Sequence, residues 1–111
     1  MEINSLTLSG NLTSDPELKY LPSGVAVCAF AIGHNKVYYK DEEKHEEAYF
    51  FYVHTYGKVA ETVAKHMKKG SGVIIEGSLK QERWESEDGT KREKVRVVAR
   101  RVNFMLRKET E

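Results

Sequence analysis

The chain is sparing with the residues that would make it a secreted, membrane-spanning or polycationic protein. Its 111 residues include one cysteine, Cys28, so no internal disulfide can form, and a reducing compartment is expected. Lys and Arg number 18 against 17 Asp and Glu, for a net charge of +1. Bulk attraction to a polyanion is thereby excluded; any such binding must come from a local arrangement of charge. No apolar run approaches bilayer length, and no basic segment followed by an apolar one opens the chain. A cytoplasmic protein that leaves membranes alone is the expectation. His34, His45, His54 and His66 share no ligand-like spacing with one another or with Cys28. Neither a Gly-rich phosphate loop nor a nucleophile elbow is present. No enzyme, metal or cofactor is expected.

What the chain does have is an aromatic stripe, Tyr49-Phe50-Phe51-Tyr52-Val53-His54-Thr55-Tyr56. As a β-strand it sends Phe50, Tyr52, His54 and Tyr56 to one face, and Phe51, Val53 and Thr55 to the other. Phe51 and Val53 can supply the core. The other face is a row of flat π-surfaces, the hardware for stacking unpaired bases when cations stand nearby.

Around that stripe, residues 2–12 read as a strand with Leu6, Leu8, Gly10 and Leu12 on one face. Asp15-Pro16 breaks it. A short extended stretch, Leu18 to Leu21, leads to the turn Pro22-Ser23-Gly24. Residues 25–39 form a second strand that is apolar on both sides: Ala26, Cys28, Phe30 and Ile32 face one way, Val25, Val27, Ala29 and Ala31 the other. The second set invites cover from another subunit. Lys40 to Glu47 reads as a charged loop. After the aromatic strand, Lys58 to Lys69 reads as a helix with Val59, Val63 and Met67 on its apolar side, and Gly70 stands where a left-handed cap belongs. A fourth strand runs from Val73 to about Trp84, Asp88-Gly89 signals a hairpin, and a fifth strand covers Lys91 to Met105. Its apolar parity switches from Val95, Val97 and Ala99 to Val102 and Phe104, which predicts a bulge near Arg100-Arg101.

Three strands, a helix and two strands predict an all-β, five-stranded OB-fold Greek-key barrel with one helix between the third and fourth strands. One domain, residues 1–106, holds it. The candidate stacking rings are Tyr38, Phe50, Tyr56 and Trp84. The candidate phosphate contacts are Lys36, Lys58, Lys69, Lys80, Arg83, Lys91, Arg92 and Arg96. From the residues alone, an RNA-binding module and a protein-interaction subunit of weak DNA affinity stand as alternatives.

Several motifs together resemble bacterial single-stranded DNA-binding proteins. They are Asn11 to Tyr20 followed by Pro22-Ser23-Gly24; Tyr56-Gly57-Lys58-Val59-Ala60-Glu61; Lys69-Gly70; Ile75-Glu76-Gly77-Ser78-Leu79; Arg83-Trp84-Glu85 through Asp88-Gly89; and Val102-Asn103-Phe104-Met105. The resemblance implies an OB-fold that wraps single-stranded DNA, usually as a homotetramer, in replication, recombination and repair. It implies stacking at Tyr38, Phe50, Tyr56 and Trp84, and phosphate contacts at Lys58, Lys69, Lys80, Arg83 and Arg92. Glu82 and Tyr52 depart from the pattern, the first standing where a basic residue is common and the second where one can occur. Proteins of this kind usually continue into a flexible tail with an acidic-hydrophobic tip. Residues 107–111 read instead as a short C-terminal end, so tip-mediated recruitment is not expected.

Overall fold

A computed structural model describes residues 1–105, so the short end expected at 107–111 and residue 106 lie outside the described residues. The elements are β1 (Leu6–Leu12), β2 (Glu17–Tyr20), β3 (Ala26–Lys40), β4 (Glu43–Tyr56), α1 (Lys58–His66), β5 (Gly72–Glu85) and β6 (Lys91–Phe104). The sheet runs β1-β5-β6-β4-β3-β2, and a further β1–β3 pairing closes it. The closed ring is therefore β1, β3, β4, β5 and β6, with the short β2 hung on the outer edge of β3. Counted along that ring, α1 lies between the third and fourth strands. The expected OB barrel is the fold.

The core is filled by one parity of each strand plus one side of the helix. Leu12, Cys28, Phe30, Ile32, Val53, Val73, Ile75, Val97 and Ala99 are buried, with Ala60, Val63 and Met67 beneath the helix. Cys28 is fully buried, and burial raises its thiol pKa, so it serves as a small apolar filler. Thr55 is buried too and donates its hydroxyl to the Cys28 carbonyl at 2.8 Å. The expected bulge is present: Glu76 pairs with Arg101 and Gly77 with Ala99, leaving Arg100 as the extra residue. Gly77 is required there, because a Cβ would stand 2.1 Å from the Val98 carbonyl oxygen.

Four expectations need correction. The first strand begins at Leu6 rather than residue 2; ahead of it, the Asn4 side chain both donates to and accepts from the Leu79 backbone. The charged stretch 40–47 is no loop. Asp41 and Glu42 both take positive φ (54° and 64°), making a two-residue hairpin turn, and Glu43 already belongs to β4. Its charges suit an exposed ribbon, where Lys36 stands opposite Glu47 and Lys40 opposite Glu43. The helix stops at His66, not Lys69, because Met67 turns extended and buries its side chain. Gly70 (φ 92°) is consequently not the helix cap; it closes the following turn, in which Ser71 N–H donates to the Lys68 carbonyl. Finally, Phe51 keeps core parity but is 36% exposed, since β4 has left the barrel by that point.

That last correction follows from strand length. At ~3.3 Å per residue, the 15 residues of β3 span roughly 50 Å, which matches the 49 Å long axis against 35 and 34 Å for the others. The β3–β4 and β5–β6 hairpins outrun the barrel and project flat surface into solvent.

Candidate nucleic-acid interface

Pairing register decides which side chains share the outer surface. On β4, Val53 and Thr55 are buried, so Phe50, Tyr52, His54 and Tyr56 point outward, opposite Gly33, Ala31, Ala29 and Val27 of β3. On β6, buried Val97 pairs with Val53, which puts Arg92, Lys94 and Arg96 on the same outer side. Across β5 the partners of those cations are Trp84, Glu82 and Lys80. One face thus carries Phe50, Tyr52, Tyr56 and Trp84 with Lys80, Arg92, Lys94 and Arg96 between them. The rings are open: Phe50 is 65% exposed, Trp84 49% and Tyr56 37%. Gly33 lies opposite Phe50, and a Cβ there would stand 3.4 Å from the Phe50 ring.

Other candidates fall elsewhere. Tyr38 has the opposite parity; its ring stacks on His45 at 5.2 Å, and its hydroxyl joins Tyr49 around the Glu47 carboxylate. Those two phenols hold Glu47 below its ordinary value. Lys36, opposite Glu47, lies on that same side. Arg83 and Lys91 also have core parity, on the projecting hairpin; Arg83 pairs with Glu93 at 3.7 Å and donates from Nη2 to the Gln81 amide oxygen at 3.0 Å. Lys91, Arg92 and Trp84 nevertheless meet Arg83 in one open groove at the hairpin end, which Glu85 and Glu93 complete. Lys58 starts α1, and Lys69 occupies the turn after it, its backbone N–H donating to Asp15 at 2.8 Å. Both are exposed cations outside the strands that carry the rings.

Tyr52 and Lys94 were absent from the candidate set, yet the Lys94 ammonium sits 4.7 Å from the Tyr52 ring centre. Strand parity pointed to Tyr52; nothing in the sequence singles out Lys94 before the β5–β6 register is known.

Among the described residues, Arg96 is the least exposed Lys or Arg, its side chain only 15% accessible. Its Nε lies 2.9 Å from Glu82 Oε1, its Nη1 donates to His54 Nδ1 at 3.1 Å, and its Nη2 reaches the Tyr56 hydroxyl at 3.4 Å.

Residues 3–105 match the sequence profile of the Single-strand binding protein family. This chain belongs to that family. Among its relatives, a single-stranded DNA-binding protein of Aquifex aeolicus is 43% identical over 106 residues, covering 95% of this chain and 71% of that protein. One from Borreliella burgdorferi is 42% identical over 97 residues, covering 86% and 65%. A crystal structure of a deletion mutant of the single-stranded DNA binding protein from Thermus aquaticus superposes with a TM-score of 0.83 at 25% identity, covering 94% of this chain and 51% of that one. The chain therefore spans from half to about seven tenths of these single-strand binding relatives.

Within this family member, His54 links the stability of the fold to pH. Burial, and then the adjacent Arg96, hold His54 below its ordinary 6.5; Glu82 opposes them and Lys94 adds to them. The folded chain then binds fewer protons than the unfolded one just below pH 6.5, so stability falls as pH drops through that value. Thermal melts at roughly pH 7.5 and 5.5 should show a larger acid loss for the unaltered chain than for His54→Gln. Equal losses would remove His54 from the account.

Proposed function

We propose that this chain binds single-stranded DNA without strong sequence preference, stacking bases on Phe50, Tyr52, Tyr56 and Trp84 and neutralising phosphates with Lys80, Arg92 and Lys94 between them, while Arg96 is held by Glu82. One observation carries the reading: four exposed rings and four cations occupy one face of the β3-β4-β6-β5 surface. Every base has a π-face, so stacking of this kind tolerates any sequence. Lys36, Lys58, Lys69, Arg83 and Lys91 extend the positive path beyond the row of rings. Tyr38 would take a base only on the far side of the β3–β4 hairpin. The activity is binding rather than catalysis, in the cytoplasm, in the service of DNA replication, recombination and repair. Competition tests it: unlabelled single-stranded DNA should displace a bound oligonucleotide, and an equal mass of duplex should not. Displacement by RNA of equal length at the same concentration would favour an RNA-binding module instead.

A homo-oligomer, by family resemblance a tetramer, completes the proposal. The contact expected at Val25, Val27, Ala29 and Ala31 competes with the rings, because Val27, Ala29 and Ala31 are the cross-strand neighbours of Tyr56, His54 and Tyr52. One surface cannot be both covered and open. Phe51, Leu79 and Val95 offer the better contact: they have core parity on three neighbouring strands, yet are 36%, 49% and 52% exposed. Light scattering at micromolar concentration should give a multiple of the 12.7 kDa chain mass, and a monomer would refute this part.

A further inference from the structure

We propose that Glu82 sets how many phosphates this surface neutralises: it holds Arg96 in a neutral pair, and loss of its charge releases Arg96 to the nucleic-acid backbone. The inference rests on the DNA-binding reading above and concerns the same face. Along the outer side of the β5–β6 ladder from Ser78 to Trp84, Lys80, Arg92, Lys94 and Arg96 are cations, and Glu82 is the one carboxylate. It stands between Lys80 and Trp84 on its own strand, with Lys94 opposite.

The pair is close but poorly aligned. Nε and Oε1 are 2.9 Å apart, yet the buried Nε–H is directed at no acceptor among the described residues. Charge rather than a well-formed hydrogen bond holds the two together, unlike the bidentate fork that makes Arg–carboxylate pairs strong. The remaining guanidinium contacts, His54 and the Tyr56 hydroxyl, are uncharged acceptors. Glu82 is therefore the only anion on Arg96 among the described residues. A phosphate arriving beside Tyr56 would be a second anion for the same guanidinium, and the carboxylate, 42% exposed, would repel it. With Glu82 neutral, Arg96 keeps His54 and Tyr56 as a brace but is left as a largely buried charge without a counter-ion. Such a charge is costly, and a phosphate restores its partner. Arg96 is thus a positioning residue for Tyr56 in the unaltered chain, and a phosphate contact only when Glu82 is neutralised.

The test is a salt titration of binding to a dT oligonucleotide of fixed length, for the unaltered chain, Glu82→Gln and the double variant Glu82→Gln/Arg96→Gln. Log affinity against log salt should steepen by about 0.7 in Glu82→Gln, the increment for one more phosphate on a single strand. The double variant should return to the original slope. Glu82→Ala should behave as Glu82→Gln does, which guards against a folding defect peculiar to the amide. An unchanged slope in both single variants overturns the inference, as Arg96 would then be a brace only. A steeper slope that survives in the double variant also overturns it, since Glu82 would act by repulsion alone. If the unaltered chain fails to bind the oligonucleotide at low salt, the DNA-binding reading itself falls and takes this inference with it.

Discussion

Phe50→Ala and Trp84→Ala should each weaken binding to single-stranded DNA by about 1–3 kcal/mol, roughly 5- to 150-fold, with the fold intact. Both rings stand on the outer parity of their strands and are 65% and 49% exposed, so truncation leaves no core cavity. Trp84 faces Arg92 across the β5–β6 ladder, so under the proposed function a cation stands beside the base that stacks on it. The two rings sit on different hairpins, so their losses should be close to additive. Binding isotherms beside thermal melts make the measurement. A fall in melting temperature as large as that of a core variant would assign the ring to packing instead.

Ile75→Ala should give the opposite signature. Ile75 is fully buried near the start of β5, between Leu8 of β1 and Val102 of β6. Removing its side chain leaves a cavity and should cost about 2–5 kcal/mol. For a domain of this size that lowers the melting temperature by roughly 10 °C or more. Affinity per folded molecule should hold, because Ile75 is on the inner parity, away from the rings. Thermal melts with binding measured well below the transition separate the two effects. Lost affinity at unchanged melting temperature would contradict the placement of the core.

The contrast between these variants shows where the sequence was legible. Strict alternation in Phe50 to Tyr56 fixed which rings face out, and the parity switch after Ala99 located the bulge at Arg100. Both are properties of a single strand. What could not be read were properties of pairs. Asp41-Glu42 carries no Gly or Asn turn signal, so the charged arm of β4 looked like a loop until its partner strand was seen. Tyr38 and Phe50 look equivalent in a list of aromatics, yet register puts them on opposite faces. Glu82 looked like an intruder on a phosphate path; only the fold brings Arg96, fourteen positions on, to within 2.9 Å of it. Register also sets the apolar face of Val27, Ala29 and Ala31 beside the rings of β4, a proximity nothing local in the sequence shows.

The most direct measurement is a fluorescence titration with poly(dT) at rising salt. Trp84 is the only tryptophan, so its emission reports on one place, the outer face of β5. The account predicts saturable quenching at low salt, and log affinity that falls linearly with log salt at about 0.7 per phosphate neutralised. Emission that poly(dT) leaves unchanged, or binding indifferent to salt, would contradict it.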